Sequence, residues 1–182
     1  HTFDYVDLGG GIGIQYDRKT KFFNYKRYNS AIKNFLRKHN VKIIFEPGRS
    51  IIANCAVLFA QIIYIKNTNK KRFVILDAAM NDLMRPALYG AYHRIIPLLK
   101  TNKKNSQMHD FVGPVCETTD KFLSVAGFQN LKEKEFVAIS DVGAYGMSLS
   151  SNYNLRPKPL EIMVDNKSLK VILKRQKLLN II

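Results

Sequence analysis

Two short segments of the sequence carry groups that could do chemistry at the ends of buried strands. The apolar run 41–45 stops at Glu46-Pro47-Gly48-Arg49, which places a carboxylate, a rigid turn and a guanidinium directly after a strand. Earlier, residues 5–8 run into Gly9-Gly10-Gly11, a loop without side chains. Consecutive backbone N–H groups in such a loop can surround an anion. The two segments therefore predict an anion site with a carboxylate beside it.

A helix predicted between these segments would position them. Over residues 28–39, Tyr28, Ile32, Phe35 and Leu36 recur at helical spacing. Strand, helix, strand is the repeating unit of α/β barrels and doubly wound sheets, and both build their sites at the carboxyl ends of parallel strands. Two consecutive strand ends of this kind are typical of a barrel phosphate site.

Each segment also has a simpler interpretation. A triple glycine on its own is more often a tight turn than a phosphate cradle, and no GxGxxG is present because Ile14 occupies the last position. Glu46 could cap a helix or pair with Arg49. Beside a phosphate-bearing aromatic cofactor, Glu46 could instead keep a pyridinium nitrogen protonated.

Beyond about Ser50 the pattern changes to short β segments separated by polar turns, which favours a mostly antiparallel sandwich or barrel. Asn166, after Asp165, predicts a hairpin turn. The strands predicted in this region are 57–66, 72–77, 93–98, 110–116, 135–141, 160–164 and 169–174.

Composition limits the possible functions. The 182 residues are 46% hydrophobic, with a formal net charge of +15, which predicts a globular protein with basic surfaces. The basic residues are scattered and only Lys70-Lys71-Arg72 forms a run, so solvated basic faces are favoured over a nucleic-acid site. The longest apolar region, 51–65, is too short to span a bilayer and contains Asn54 and Gln61.

The two cysteines do not make a disulfide framework, which favours a reducing, cytoplasmic compartment. Cys55 lies in the apolar stretch 51–58, which predicts a small buried thiol. The chain does not start with Met and opens in the approach to a strand, so we expect that residue 1 is not the natural start.

Further segments downstream have unusual composition. In one of them Arg85 and Tyr89 are four residues apart, so a helical turn would place them on one face. Together with the first two segments, and in the same order, they resemble the diaminopimelate decarboxylase family along nearly the whole chain. The motifs that carry this resemblance are Leu8-Gly9-Gly10-Gly11-Ile12-Gly13, Glu46-Pro47-Gly48-Arg49, Asp77-Ala78-Ala79-Met80-Asn81-Asp82, Arg85-Pro86-Ala87-Leu88-Tyr89, Gly113-Pro114-Val115-Cys116-Glu117, Gly143-Ala144-Tyr145-Gly146 and Ser151-Asn152-Tyr153-Asn154.

The resemblance implies an α/β plus β fold: a (β/α)₈ barrel that binds pyridoxal 5'-phosphate, as in alanine racemase, followed by a mostly antiparallel β domain. Residues 1–50 would be the C-terminal piece of the barrel, and 51–182 the β domain. The implied activity is decarboxylation of meso-2,6-diaminopimelate to L-lysine. The implied assembly is a homodimer with the active site at the interface, without nucleic-acid or membrane partners.

The resemblance also assigns roles to individual residues. The distal end of diaminopimelate is a zwitterion, so its pocket needs guanidinium groups for the carboxylate and a carboxylate for the ammonium. Cys116 would return a proton to the substrate carbon from the partner subunit. The residues implied for the cofactor are Gly9, Gly10, Gly11, Glu46, Pro47, Gly48, Arg49 and Tyr145. Those implied for the substrate are Arg49, Arg85, Tyr89, Glu117 and Tyr145.

The sequence departs from the family pattern at its start. The family's cofactor lysine and a histidine that stacks on the ring lie on early barrel strands, and none of His1, His39, His93 and His109 has the matching context. We therefore expect a C-terminal part, about the latter half or less of an enzyme, which is inactive and marginally folded by itself. The alternatives are a related ornithine- or arginine-type decarboxylase, a catalytically dead homologue, or a basic nucleic-acid-binding module.

Overall fold

The chain begins with a βαβ unit. The computed structural model describes residues 3–17, 21–103 and 105–181, so His1 lies outside the described residues. Strand β1 (Tyr5–Asp7), helix α1 (Tyr25–Leu36) and strand β2 (Lys42–Ile44) follow one another, and the two strands pair in parallel with Val6 opposite Ile43. The predicted strand, helix and strand are confirmed. Because the strands are parallel, the loops after them leave the same edge of the sheet.

Helix α1 begins three residues earlier than the spacing predicts. The side chain of Asn24 accepts a hydrogen bond from the Arg27 N–H at 2.9 Å, which caps the first turn. Tyr28 packs between Phe23 and Phe45, with ring centroids 5.2 and 6.1 Å away. These aromatic contacts attach the helix to the end of β2.

The remaining elements form mainly one mixed sheet. Its strand order is β5-β8-β3-β4-β6-β7, with β4 and β6 parallel and the other neighbours antiparallel. The prediction of a mostly antiparallel β region is thus confirmed. The elements after β2 are α2 (Arg49–Ile52), β3 (Leu58–Asn67), β4 (Lys71–Leu76), α3 (Arg85–Tyr89), β5 (Ile95–Pro97), β6 (Met108–Val112), β7 (Lys121–Ala126), β8 (Phe136–Ile139), β9 (Glu161–Asp165) and β10 (Ser168–Leu173).

Each predicted strand of this region is present with shifted ends, but β7 is missing from the prediction. The hydrophobic core lies over the central strands, where each fully buried large aliphatic or aromatic side chain contributes about 1.5–3 kcal/mol. Strand β7 adds Phe122 to this core and exposes Lys121, an alternation that the sequence does contain. The fully buried core side chains include Ile62, Val74, Leu76, Phe111, Val137 and Ile139.

Strands β9 and β10 form a separate two-stranded sheet. Asp165 pairs with Ser168, and Asn166 has a φ of 52°, so the predicted hairpin turn is confirmed. Val164 and Leu169 are 69% and 73% exposed.

The prediction of a buried thiol at Cys55 is wrong, because Cys55 is exposed. Residues 49–55 form helical turns, which direct Ala53 inward and Ile51 outward, and the Cys55 thiol donates to the Ile52 carbonyl at 2.9 Å. Cys116 is also exposed, and both thiols are free. No helix among the described residues combines the length and apolar character needed to cross a membrane.

Candidate active site

The glycine loop and the turn after β2 lie side by side. The Glu46 N–H donates to the Gly9 carbonyl at 2.9 Å, which joins the two segments. Within the turn itself, the Gly48 N–H donates to the Glu46 carbonyl at 2.9 Å. A Cβ built on Gly10 would collide with the Glu46 carbonyl oxygen. The structure therefore brings the two predicted strand-end segments together, and glycine is required at the point where they touch.

The glycine loop is both a tight turn and a possible anion site. Gly9 and Gly11 have φ values of 64° and 77°, in the left-handed region. The Gly9 N–H already donates to the Asp7 carboxylate at 2.8 Å. The N–H groups that remain candidates for binding an anion are therefore those of Gly10 and Gly11. Gly9 contributes the left-handed backbone turn of the loop.

The Tyr145 ring lies near one arginine of the Glu46–Arg49 turn and one arginine of helix α3. The guanidinium carbons of Arg49 and Arg85 each lie 5.9 Å from its ring centroid, within the range of cation–π attraction. Tyr145 has a φ of 63°, which costs a non-glycine residue about 1–2 kcal/mol. Gly143 allows this loop to press against the end of α2, because a Cβ there would collide with the Ile52 carbonyl oxygen.

Helix α3 carries the other predicted arginine and tyrosine. The predicted helical turn is confirmed over Arg85–Tyr89 and ends at Gly90, whose φ is 61°. Tyr89 is 67% exposed, whereas Arg85 is only 5% exposed. The two side chains therefore meet different surroundings, because the Arg85 guanidinium turns inward below the helix.

The inward contacts of Arg85 involve residues that the sequence did not identify. Its Nη1 donates to the Tyr16 hydroxyl at 2.9 Å and to His93 Nε2 at 3.0 Å. His93 in turn hydrogen-bonds through Nδ1 to the Ser140 carbonyl at 2.9 Å. Burial lowers the pKa of His93; the positive charge of Arg85 lowers it further, and together these effects exceed the opposing ones of Ser140 and Asp141. These effects favour the neutral imidazole, which is also the form whose Nε2 can accept the hydrogen bond from Arg85.

Cys116 and Glu117 occupy a second, exposed loop. The Tyr153 hydroxyl donates to Glu117 Oε2 at 3.2 Å, and this hydrogen bond, with the negative charge of Glu117, raises the pKa of Tyr153. Among the described residues, no hydrogen bond or ion pair joins Cys116 or Glu117 to the glycine loop or to residues 46–49. The predicted site residues thus form two groups within one chain.

Asp120 holds the Cys116 loop in place. Its buried carboxylate accepts the Val115 N–H at 2.8 Å and the Met80 N–H at 2.7 Å, which joins two separate loops. Burial raises its pKa, although both N–H bonds oppose the shift. A Cβ on Gly113 would press on the same carboxylate. Asp120 follows the motif Gly113–Glu117 in the sequence, but its position in the sequence alone did not predict this contact.

Arg156 ties the Met80 loop to the Tyr153 loop. Its Nε donates to Asn81 Oδ1 at 2.9 Å and its Nη2 to the Asp77 carbonyl at 2.6 Å, while Asp82 lies 3.7 Å from Nη2. Asn81 is fully buried. The segments 77–82 and 151–156 therefore form a polar support below the exposed loops.

Comparison with known proteins decides the family. The family described as "Pyridoxal-dependent decarboxylase, C-terminal sheet domain" matches residues 7–143. The chain belongs to this family. The match covers the glycine loop, the Glu46–Arg49 turn and the Cys116 loop, so the pyridoxal-dependent decarboxylase family includes both groups of candidate residues.

Several relatives of this pyridoxal-dependent decarboxylase chain are named diaminopimelate decarboxylase. The diaminopimelate decarboxylases of Aquifex aeolicus and Zymomonas mobilis are 41% and 44% identical over 94% and 97% of the chain. The structure of diaminopimelate decarboxylase from Helicobacter pylori complexed with L-lysine is 42% identical, with a TM-score of 0.88 over 97% of the chain. The chain spans 41%, 42% and 43% of these three proteins.

The residues of this decarboxylase-family chain fit a pyridoxal cofactor. A phosphate needs N–H donors and close backbone approach, which the Gly10–Gly11 loop offers beside a turn that tolerates no Cβ at Gly10. A pyridine nitrogen needs a carboxylate, which Glu46 carries in the adjoining turn. The Tyr145 ring lies near this turn, with its centroid 5.9 Å from the guanidinium carbon of Arg49.

Proposed function

We propose that the chain is the C-terminal part of a decarboxylase that converts meso-2,6-diaminopimelate to L-lysine with pyridoxal 5'-phosphate, the last step of lysine biosynthesis. The observation that carries the proposal is the hydrogen-bonded contact between the glycine loop and the Glu46–Arg49 turn. This contact supports the proposal because it brings the Gly10 and Gly11 backbone next to the Glu46–Arg49 turn in a chain of a pyridoxal-dependent family. The proposal also includes a cytoplasmic location, because a reducing compartment suits two free thiols.

The cofactor, when bound, supplies a protonated aromatic ring that accepts the electron pair left by departing carbon dioxide. Gly10 and Gly11 would bind its phosphate through their N–H groups, together with the backbone of Pro47, Gly48 and Arg49. Glu46 keeps the proton on the ring nitrogen through its negative charge. Tyr145 donates its hydroxyl to the phosphate.

Arginine and glutamate side chains select the substrate. Arg49 and Arg85, whose guanidinium carbons each lie 5.9 Å from the Tyr145 ring centroid, supply guanidinium groups for the distal carboxylate. Glu117 supplies the carboxylate for the distal ammonium, and Tyr89 lines the same pocket from α3. Ornithine lacks a distal carboxylate, so a pocket with two arginines suits it badly. The ornithine- or arginine-type alternative therefore has less support than the proposed substrate.

Cys116 returns a proton to the substrate carbon, and it does so across a dimer interface. Among the described residues, no hydrogen bond or ion pair joins the Cys116–Glu117 loop to the glycine loop of the same chain, which agrees with a donor supplied by the partner subunit. A two-fold dimer would complete each site with the loop of the partner. In the dimer, Asp120 keeps the loop in the position that presents the thiol.

The two parts of the chain have different roles in this proposal. Residues 1–50 contribute the last βαβ unit of a (β/α)₈ barrel, and 51–182 form the C-terminal β domain. The parallel pairing of β1 and β2 supports the first assignment. The lysine that holds the cofactor would belong to the barrel half outside these 182 residues. We therefore expect the 182 residues alone to be inactive and marginally stable, with open strand edges.

Lysine production by the full-length protein that carries this chain tests the proposal. The purified protein with pyridoxal 5'-phosphate should form L-lysine from meso-diaminopimelate and act at least about 100-fold more slowly on ornithine or arginine, because their distal ends carry no carboxylate to pair with Arg49 and Arg85. The 182-residue chain is the matched control and should show neither turnover nor cofactor absorbance. Absence of lysine formation by the full-length protein, or turnover by the control, would contradict the proposal.

A further inference from the structure

The buried residue His93 contacts the inner edge of the Arg85 guanidinium. Nη1 of Arg85 carries two N–H groups, and they meet the Tyr16 hydroxyl at 2.9 Å and His93 Nε2 at 3.0 Å. The other three N–H groups belong to Nη2 and Nε, whose spacing matches the two oxygens of a carboxylate. The inner edge of the guanidinium is therefore occupied, and the other edge is suited to a ligand.

The partners of His93 determine its tautomer. The Ser140 carbonyl can only accept a hydrogen bond, so Nδ1 of His93, 2.9 Å away, must carry the proton. A guanidinium can only donate, so Nε2 must be unprotonated. A doubly protonated imidazole would direct an N–H and a second positive charge at Arg85. Because His93 is fully buried, no solvent can replace its acceptor nitrogen.

We infer that His93 is a positioning residue: it orients Arg85 so that the guanidinium faces Tyr145 and the distal carboxylate of the substrate. The inference rests on the proposed function. Tyr16 adds a second restraint, since its ring centroid is 5.0 Å from the guanidinium carbon and 5.3 Å from the His93 ring centroid. Arginine has a long side chain with many rotamers, so a buried acceptor at its inner edge selects one of them.

Two substitutions separate this role from simple packing. A glutamine side chain reaches as far as Nε2 of histidine and retains an acceptor for Arg85. An asparagine side chain reaches only Nδ1, so it retains the bond to Ser140 and loses the bond to Arg85. If His93 only filled space, the two variants could differ in folding stability. They would then have equal effects on substrate binding.

The matched control is His109→Asn. His109 is also fully buried and also bonds through Nδ1 to a backbone carbonyl, that of Gln107, at 2.9 Å. Its Nε2 has no hydrogen-bond partner among the described residues. His109→Asn thus reproduces the loss of a buried imidazole without removing an acceptor from an arginine.

Steady-state kinetics of the full-length holoenzyme provide the first test. His93→Asn should raise KM for meso-diaminopimelate at least about tenfold with kcat within about threefold, the signature of lost ground-state binding. His93→Gln and His109→Asn should each change KM by less than about threefold. In an Arg85→Ala background, His93→Asn should add no further increase, because the residue acts through Arg85. Equal KM values for His93→Asn and His93→Gln would overturn the inference.

A second measurement does not depend on activity. The 15N NMR signals of the full-length protein labelled at histidine, assigned by their loss in His93→Gln, should show His93 protonated at Nδ1 only. A proton on Nε2 would overturn the inference. If the wild-type protein formed no lysine, the proposed function would fail, and the tautomer would still decide whether His93 accepts from Arg85.

Discussion

The N–H of Glu46 donates to the carbonyl of Gly9 at 2.9 Å, although 37 positions separate the two residues in the chain. This hydrogen bond continues the parallel ladder of β1 and β2 past the strand ends, where the Leu8 N–H donates to the Ile44 carbonyl at 3.1 Å. The two loops are therefore held in register by backbone groups. Their contact does not depend on flexible side chains.

Substituting Gly10 should separate these loops. In Gly10→Ala the new methyl group would collide with the Glu46 carbonyl, so the loop must move and its N–H groups lose their alignment. We expect affinity for pyridoxal 5'-phosphate to fall at least about tenfold, which corresponds to about 1.4 kcal/mol. Fluorescence titration of the full-length apoprotein measures this. Gly13→Ala is the control, since a Cβ there meets no atom within 4 Å; equal affinities of the two variants would contradict the prediction.

Mixing two inactive full-length variants should restore activity if Cys116 acts across a dimer interface. Glu46→Ala and Cys116→Ala each disable every site of their own homodimer, but a mixed dimer contains one site with both wild-type residues. Random reassortment of equal amounts should recover about a quarter of the wild-type rate.

Lysine formation after dissociation and reassociation of the mixed proteins gives the readout. Glu46→Ala mixed with a double variant, Glu46→Ala and Cys116→Ala, serves as the control and should stay inactive. Absence of recovery in the first mixture, with mixed dimers demonstrated by differential tags, would place Cys116 in the site of its own subunit.

Asp120→Ala should loosen the loop that presents Cys116. The substitution leaves the partly buried N–H groups of Met80 and Val115 without their acceptor, which costs about 1 kcal/mol of local stability for each group left unpaired. The alkylation rate of Cys116 should change and kcat should fall, while cofactor affinity remains within about threefold because the glycine loop is elsewhere.

The thiol reaction is measured at the Cys116 peptide in a Cys55→Ser background, because Cys55 is the other cysteine of the 182 residues. Thr118→Ala, in the same exposed loop, is the control and should behave as the parent. Unchanged alkylation and kcat in Asp120→Ala would rule out the proposed support.

Acid should remove a contribution of Asp110 to stability. Burial raises the pKa of this carboxyl, but hydrogen bonds from Lys71 and Ser124, each 2.6 Å long, outweigh it and hold the pKa below its ordinary value of 3.8. The stabilisation is therefore present above pH 3.8 and is lost as the pH falls through the lower folded-state pKa. Because Lys71 is partly exposed, we expect only about 1 kcal/mol.

Urea unfolding of full-length Asp110→Asn between pH 2.5 and 6 measures this contribution. The variant should be less stable than the wild type at pH 6 and should approach it at the acid end of the range. Asp4→Asn, on an exposed residue, should follow the wild-type curve throughout. A constant difference between Asp110→Asn and wild type across the range would contradict the assignment.

The two buried histidines should also weaken the fold as the pH falls, in a higher pH range than Asp110. Burial lowers the pKa of His93 and of His109 below 6.5, so each is neutral when folded and binds a proton more readily when unfolded. Stability from both is complete above pH 6.5 and decreases as the pH falls toward their folded-state pKa values. His93→Gln should flatten the pH dependence of the melting temperature between pH 5 and 7, as should His109→Gln. An unchanged slope in both variants would show that other groups govern this range.

Local sequence patterns were sufficient for the order of nearly all elements and for the contact between the glycine loop and the Glu46–Arg49 turn. Alternating and continuous apolar runs marked nearly every strand, and Asn166 marked the hairpin, because these features depend on neighbours within a few residues. The parallel βαβ unit followed from one helical period between two strands. It is this parallel arrangement that brings Gly10 beside Glu46.

Tertiary structure alone decided how the individual site residues are held. The helical spacing of Arg85 and Tyr89 indicated one face, but only the folded chain places Tyr16, 69 positions away, and His93 against the guanidinium and so buries it. In the same way, Asp7 takes the Gly9 N–H, and Asp120 joins Val115 to Met80. Spacing along the chain reports periodicity, whereas a buried donor takes whichever distant acceptor the packing brings within about 3 Å.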